Sequence, residues 1–225
     1  MSDTATEEEN EAPETDEVRE GIVAALSEHL GDAIVETHIA PGLDLWVRVR
    51  ADRWVEVHDT ARDILGYRFF DYLSVIDWLP SPFGRDMESE PDWAVHGREE
   101  KELPDMVSGY AGGDTRFQLI SRLMNITTNI GIHFKADLAD QPVVDTLIPV
   151  FPGANWHERE AWEMYGVTFT GHPDLRALYL PSGFEGNPMR KDFPLLARRV
   201  KPWPGIVDVE GMPGDGDDAE DGGAA

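Results

Sequence analysis

Cysteine is absent from this chain of 225 residues. The absence excludes disulfides, thiol-based catalysis and any iron–sulfur cluster bound by the chain's own thiolates. Long apolar runs are also absent, since no stretch approaches the roughly 20 residues that a membrane-spanning helix needs. The first residues have neither the basic start and apolar segment of a signal peptide nor the arginine-rich make-up of a mitochondrial presequence. The sequence therefore predicts a protein of the cytosol, or of the cytosolic face of a larger assembly.

The short motifs that mark many enzymes are missing as well. There is no G-x-G-x-x-G and no G-x-x-x-x-G-K-[ST], so neither the dinucleotide fingerprint nor the P-loop is present. No nucleophile-elbow motif marks a hydrolase. Five histidines are scattered singly along the chain, and each is interpreted as a surface histidine or one with satisfied hydrogen bonds: His29, His38, His58, His96 and His133.

Basic residues are scarce, and the formal net charge is −25. Segments 1–17 and 208–225 carry 8 and 7 acidic residues and no lysine or arginine. Both are poor in large apolar side chains, so they cannot bury enough surface to offset the entropy of ordering. They are predicted to be disordered acidic tails. Because the chain has no basic footprint, binding to nucleic acid is not expected.

Between the tails, segments whose apolar residues recur at helical spacing are followed by segments with the alternation of a strand. Val18–Leu30 has apolar residues at helical spacing and is followed by Gly31, and residues 43–50 alternate as a half-buried strand does. Further predictions are a short helix from Thr60 to Gly66 leading into a strand that ends near Trp78, an irregular insertion at 80–114, one or two strands within 116–138 and a short helix within 141–151. Residues 18–154 are therefore predicted to form an α+β domain, a mixed β-sheet with helices packed on one side.

The stretch NWHEREAWEMYG begins as a zinc-protease helix does, with His157 directly before Glu158. In H-E-x-x-H, a second histidine four residues on must reach the same ion, and here that position is Ala161. The metal motif therefore fails. A carboxylate or acid–base site built from the nearby acids is the less favoured alternative, and it would use His157, Glu158, Glu160 and Glu163.

A capped structural helix is the favoured interpretation of the same stretch. Asn155 is a preferred N-cap residue, and Glu158 three positions later completes a capping-box pattern. Gly166 stands where a helix stop is expected. On this interpretation the glutamates of the stretch serve the helix rather than a reaction.

The segment after this helix is rich in prolines and bases. Arg176–Lys201 contains six bases and two acids, and five prolines between 181 and 204 interrupt any helix or central strand. It either lies as an ordered strap on the chain's own domain or docks on a partner as an extended proline-rich C-terminal arm. The arm is favoured, because the fixed φ angles of proline lower the entropy cost of docking.

Within 155–195 the motifs resemble those of a known family. EREAWEMYGVTFTGHPDLRALYL, followed by GNPMRKDFPL, resembles the signature of the C subunit of bacterial NADH–quinone oxidoreductase (respiratory complex I), equivalent to the mitochondrial 30-kilodalton subunit. The triplet Glu158-Arg159-Glu160 and the runs at 171–176 and 190–195 stand at the family's spacing. The sequence departs from the pattern at Glu163-Met164-Tyr165, where Asp-x-Phe is more usual, and at Ala177 and Asn187.

The resemblance implies a scaffold subunit that carries no catalytic residue and binds no metal or cofactor itself. FMN, iron–sulfur clusters, NADH and quinone then bind to other subunits of the proton-pumping complex. The implied partners are chiefly the D subunit, which forms the quinone site, and the B subunit, which holds the terminal cluster. The implied location is peripheral, in the hydrophilic arm, on the cytoplasmic side of the bacterial plasma membrane.

The resemblance also implies that residues 155–207, the signature helix and the arm, meet the partner. The residues expected at the partner interface are Glu158, Arg159, Glu160, His172, Asp174, Arg176, Phe184, Arg190, Lys191, Asp192, Phe193 and Trp203. Two alternatives stay open: the equivalent subunit of a membrane-bound hydrogenase-type complex, and a stand-alone enzyme using the carboxylate and histidine cluster.

Overall fold

The computed structural model describes residues 16–80 and 104–193. Nearly all of them belong to one compact unit. Trp203, the tail at 208–225, most of the tail at 1–17 and most of the predicted insertion lie outside the described residues. Within the described part of the chain, no helix is long and apolar enough to cross a membrane.

The first helix, α1, spans Glu17–Leu30 and begins one residue before the predicted start. The carboxylate of Asp16 accepts a hydrogen bond from the backbone N–H of Arg19 at 3.0 Å, so Asp16 is a true N-cap. Gly31 follows the helix with a φ of 52°, a conformation that favours glycine. The last two predicted tail residues therefore belong to the cap and first turn of α1.

Five strands form one mixed sheet, which confirms the predicted α+β class. Their bounds are β1 Ile34–His38, β2 Leu45–Val49, β3 Phe69–Asp77, β4 Phe117–Asn125 and β5 Ile130–Leu138. The spatial order is β1-β2-β5-β4-β3, with β2 and β5 parallel and the other neighbours antiparallel. The alternation predicted for 43–50 holds in part: Leu45, Val47 and Val49 are buried on β2, but Leu43 lies before the strand and is exposed, and Arg48 is buried as well.

The second helix, α2, spans Trp54–Asp63, so the predicted helix from Thr60 to Gly66 was placed too late. Its buried face is formed by Trp54, Val57, His58 and Ala61, at helical spacing. His58 is satisfied as expected, since its ring nitrogens contact Trp54 O at 2.7 Å and Ser121 Oγ at 2.6 Å. The aromatic start of this helix was hidden because Trp54 lies directly after a charged 3₁₀ turn.

A second, two-stranded sheet corrects the helix predicted within 141–151. Val143–Asp145 is a strand, β6, and it pairs in parallel with β7, Thr168–Thr170. The β-branched Val143 and Val144 favour an extended chain once a partner strand is available. The third helix, α3, spans Ala154–Tyr165 and lies between these two strands in sequence.

All three helices share one hydrophobic core with the inward side chains of the five-stranded sheet. Leu26 of α1, Trp54 of α2 and Ala161 of α3 belong to this core together with Leu119 and Phe134 of the sheet. The face of the sheet that bears Lys135 is instead covered by a loop. The ammonium group of Lys135 donates to the carbonyls of Tyr110 at 2.8 Å and Gly112 at 2.9 Å. The described helices therefore contribute to a single core, and α3 places the signature residues beside β3 and β7.

Candidate functional site

The start of α3 differs from the predicted capping box. The residue at the N-cap position is Gly153, and no side chain makes a capping bond there. The turn before the helix is closed by backbone bonds instead, with the N–H of Ala154 donating to Phe151 O at 2.9 Å. The end is as predicted, since Gly166 has a φ of 77° and its N–H donates to Trp162 O at 2.9 Å.

Glu158 turns inward rather than toward the helix start. It is fully buried, and its carboxylate accepts hydrogen bonds from Thr146 Oγ1 at 2.5 Å and from the N–H of Leu147 at 2.6 Å. Burial raises the pKa of Glu158 to about 7, and the two hydrogen bonds only partly oppose this. The side chain of Glu158 has no exposed surface in this chain, and its expected place at a partner interface stays a prediction.

His172 lies next to this carboxylate, with its Nε2 4.0 Å from Glu158 Oε2. Its Nδ1 accepts from the N–H of Asp174 at 3.0 Å, and its Nε2 donates to Asn155 O at 3.3 Å. Both ring nitrogens therefore contact backbone groups of the chain itself, and the side chain is 0% exposed. The expectation that His172 faces a partner stays a prediction.

The two residues that resemble a zinc motif point to different places. His157 packs edge-on against Phe70 with ring centroids 5.5 Å apart, whereas Glu158 is buried against Thr146. In residues 16–80 and 104–193 there is no group of three or more histidine, aspartate or glutamate side chains that could hold a metal ion. His157 and Glu160 both line a groove of about 150 Å³ between β3 and α3. Glu158 and Glu163 instead accept hydrogen bonds from backbone groups elsewhere, so the four residues of the enzyme alternative do not share one site.

Glu163 is the residue that the predicted interface omitted. It is 6% exposed, and its carboxylate accepts from the backbone N–H groups of Leu178 at 2.8 Å, Tyr179 at 3.0 Å and Leu180 at 2.7 Å. Burial alone would raise the pKa of Glu163, but these three bonds outweigh it and lower the pKa. One signal was available, because an acid in the last turn of a helix is disfavoured by the helix dipole and needs another partner.

Arg159 binds the same segment from its other side. Its guanidinium donates to Arg176 O at 2.9 Å and to Ala177 O at 3.2 Å, and the residue is 8% exposed. Both bonds are made within the chain, to the backbone of this segment. The expected place of Arg159 at a partner interface stays a prediction.

The segment also caps the C-terminal end of α3, whose last carbonyls have no partner within the helix. Asn187 Nδ2 donates to Glu163 O at 2.9 Å, the N–H of Met189 donates to Met164 O at 3.1 Å, and Arg190 Nε donates to Tyr165 O at 2.6 Å. The cationic Arg190 is also placed favourably at the negative end of the helix dipole.

The far end of the segment is fixed to the sheet. The N–H of Lys191 donates to Asp77 Oδ2 at 2.8 Å, and Asp192 forms an ion pair of 2.9 Å with Arg116. Residues 172–193, named the strap from here on, therefore lie on the chain's own domain. Over this range the predicted arm is hydrogen-bonded to the chain's own domain, because the end of α3 and its buried Arg159 and Glu163 supply partners for the strap backbone. Its docking on a partner stays a prediction.

Several strap side chains nevertheless face solvent. Among large apolar residues, Tyr179 is 64%, Met189 53% and Phe184 42% exposed. Phe184 packs on Phe193 with centroids 5.9 Å apart. Of the twelve predicted interface residues, Trp203 lies outside the described part of the chain. Those bonded into the domain are Glu158, Arg159, His172, Arg190 and Asp192, those that are partly buried are Glu160 and Phe193, and those with outward side chains are Asp174, Arg176, Phe184 and Lys191. The strap is thus fixed through its backbone and displays part of its side chains.

The fold and the site together define an α+β domain that holds an extended strap on its last helix. The family model for the respiratory-chain NADH dehydrogenase 30 Kd subunit matches residues 47–199. The chain belongs to this family, which confirms the resemblance drawn from its motifs.

Curated relatives carry the corresponding name. The C subunit of NADH-quinone oxidoreductase from Rhodopseudomonas palustris (strain TIE-1) is 45% identical over 86 residues, which is 38% of this chain and 42% of that protein. The C 2 subunit of the same enzyme from Rhizobium meliloti (strain 1021) is 44% identical over 102 residues, 43% of this chain and 56% of that protein. The chain thus matches about half the length of these relatives.

Two solved structures are similar to large parts of the chain. One is a trypsin-resistant fragment (1-134) of Nqo5, with a TM-score of 0.47 and 20% identity over 70% of this chain and 99% of that one. The other is a chain of a membrane-bound sulfane sulfur reductase, an archaeal respiratory membrane complex, with a TM-score of 0.49 and 22% identity over 79% and 86%. Both scores are below 0.5, so the family assignment rests on the sequence matches.

Proposed function

We propose that this chain is the C subunit of a proton-pumping NADH–quinone oxidoreductase and acts there as a cofactor-free scaffold. It supports electron transfer from NADH through iron–sulfur clusters to quinone without taking part in the chemistry. Membership of the 30 Kd subunit family supports the proposal that the chain is part of such a complex. The scaffold role is supported by the buried signature residues, because they bind the chain's own backbone.

The observation that carries the proposal is the paired use of Arg159 and Glu163 on α3. Both are charged and almost fully buried, and both form hydrogen bonds with backbone groups of the strap. A catalytic pair would instead direct these groups at a substrate position. A scaffold of this kind matters to turnover because small errors in the alignment of reacting groups are costly.

The partners that we propose are the D subunit, with the quinone site, and the B subunit, with the terminal cluster. The chain then lies in the hydrophilic arm, peripheral to the bacterial plasma membrane on its cytoplasmic side. FMN and the iron–sulfur clusters belong to neighbouring subunits, in keeping with a chain that has no cysteine. The interface is formed by those strap side chains that face outward.

The experiment is a purification of the native complex through an affinity tag on this chain. We expect the quinone-site and terminal-cluster subunits to co-purify, and the complex to oxidise NADH with quinone as the acceptor. The full chain produced alone should show no flavin or iron absorbance and no NADH oxidation. A stoichiometric flavin or metal on the pure chain would overturn the scaffold role. A complex that oxidises hydrogen rather than NADH would assign the chain to the hydrogenase-type alternative.

A further inference from the structure

We propose that Glu163 is a positioning residue for partner binding, because it fixes the strap in the conformation that presents Tyr179 to a neighbouring protein. The inference rests on the proposed function, since the neighbour is taken to be another subunit of the same complex. The surface that it organises, named the outer strap surface, consists of the exposed side chains of Arg176, Tyr179, Phe184 and Met189.

The geometry around Glu163 is that of an anion bound by consecutive backbone N–H groups. Leu178, Tyr179 and Leu180 all donate to the one carboxylate. Such a run of N–H groups forms a concave anion site in other proteins, and here the anion is a side chain of the same molecule. The arrangement fixes the backbone of three successive residues with a single group.

Arg159 completes the arrangement from the preceding residues. It donates hydrogen bonds to the carbonyls of Arg176 and Ala177. Each of the five consecutive strap residues 176–180 therefore has a backbone polar group bonded to a side chain of α3. Residues 178–180 form a bend around the carboxylate, which brings their three N–H groups to the same side. Leu178 and Leu180 are half-buried against the domain, whereas Tyr179 between them is 64% exposed. The exposure of Tyr179 is therefore a consequence of where the backbone is bound.

Glu163 controls this shape more directly than any other residue of α3. A glutamine at this position keeps the length and one acceptor oxygen, but its amide would place a donor against backbone donors. An aspartate keeps the charge but is one methylene shorter, so it cannot reach all three N–H groups from the same helix turn. The two variants therefore separate charge from reach.

The outer strap surface suits a protein with an apolar recess. The strap carries three acids and three bases, Asp174, Glu185, Asp192, Arg176, Arg190 and Lys191, whereas the whole chain has a net charge of −25. A charge-balanced strap is where a strongly acidic chain can approach a neighbour without net repulsion. A tyrosine that is rigidly displayed is a typical anchor, since it buries a large ring and satisfies its hydroxyl at the edge. An anionic lipid surface would repel a chain of this charge.

The test uses the full chain and the complex that lacks it, purified through a tag on the quinone-site subunit. We expect Tyr179→Ala and Glu163→Gln each to weaken rebinding of the chain by about tenfold, as the loss of an interface anchor does. Because Glu163 acts through Tyr179, the double variant should lose little more than either single variant. Glu28→Gln, an exposed change on α1, is the matched control and should bind like wild type.

Hydrogen exchange of the free full chain supplies the second readout. Glu163→Gln should accelerate exchange of the amides of residues 178–180, whereas Tyr179→Ala should leave them protected. Additive losses in the double variant, or wild-type rebinding by a Glu163→Gln chain whose amides exchange faster, would overturn the inference. So would Tyr179-dependent binding to anionic vesicles without rebinding to the complex. If the wild-type chain rebinds no oxidoreductase subunit, the proposed function fails, while unchanged amide exchange in Glu163→Gln would refute the positioning role by itself.

Discussion

Two glutamates five residues apart on α3, Glu158 and Glu163, have pKa values shifted in opposite directions. Glu158 is surrounded by neutral groups, and burial raises its pKa to about 7. Glu163 is nearly as buried, yet three backbone N–H groups lower its pKa despite the burial. Glu163 receives three N–H donors and lies near the positive charge of Arg159, whereas Glu158 receives two donors and the effect of burial dominates.

The raised pKa of Glu158 makes stability depend on pH in a defined direction. The unfolded carboxyl titrates near 4.5 and the folded one near 7, so the folded state binds the extra proton between these values. This contribution to stability is present at low pH, falls as pH rises through the window and is absent above about 8. Glu158→Gln should therefore gain on wild type by up to about 3 kcal/mol between pH 5 and pH 8. Thermal unfolding at the two pH values measures this, and an equal difference at both would contradict it.

For single residues, the sequence predicted roles that depend on nearby residues, but not roles that depend on residues distant along the chain. Gly166 was predictable as a helix stop because a left-handed glycine is a local requirement. The capping role of Asn155 and Glu158 was wrong because Thr146 and Leu147, more than ten residues earlier, bind the carboxylate. No pattern within NWHEREAWEMYG reveals that competition.

The strap and α3 form one unit at the scale of elements, because each satisfies polar groups that the other leaves open. Arg190 and Lys191 are adjacent, but they contribute differently. The side chain of Arg190 donates to Tyr165 O at the helix end, whereas Lys191 contacts the domain through its backbone N–H and is exposed.

Arg190→Ala should lower the free energy of unfolding by about 1 kcal/mol, because one helix-end carbonyl loses a charged donor. Lys191→Ala should have nearly no effect on the same quantity, and it is the matched control. Urea unfolding of the full chain measures both. Equal effects of the two changes would show that Arg190 is not a helix cap.

Cutting the chain after Gly171 removes the whole strap and tests it as an element. Arg159 and Glu163 would then keep their charges at a partly buried site without partners, which is destabilising by several kcal/mol in comparable cases. We expect the shortened chain to unfold at a clearly lower urea concentration than the full chain. An unchanged midpoint of urea unfolding would mean that the strap does not contribute to the stability of the domain.

The strands and the strap differed in how well their own sequences predicted their structure. The strand within 43–50 was predictable, because Leu45, Val47 and Val49 alternate on the face that meets the core. The strands within 116–138 do not show this alternation, since residues 117–121 are all buried. β6 was not predictable, because a three-residue strand depends on a partner, β7, that lies more than 20 residues further along the chain. The strap was foreseen only as an alternative, since its backbone partners on α3 are not visible in its own composition.

At the scale of the whole molecule, a strongly acidic chain carries a charge-balanced strap on its α+β unit. Segments 1–17 and 208–225 contain 15 of the 44 acidic residues, and their predicted disorder stays a prediction. The charge of the chain is thus concentrated at its ends, away from the strap in sequence. That distribution favours association through the strap rather than through the tails.

The central claim is that the signature residues hold structure rather than perform chemistry, and Arg159→Ala in the intact complex tests it most directly. The change leaves Glu163 and the strap carbonyls without their charged partner, a loss on the order of 3 kcal/mol for a buried group. The measurement is the amount of assembled complex together with the NADH–quinone turnover of each assembled complex. We predict that assembly falls while turnover per complex stays at the wild-type value. A complex that assembles fully but does not turn over would contradict the account.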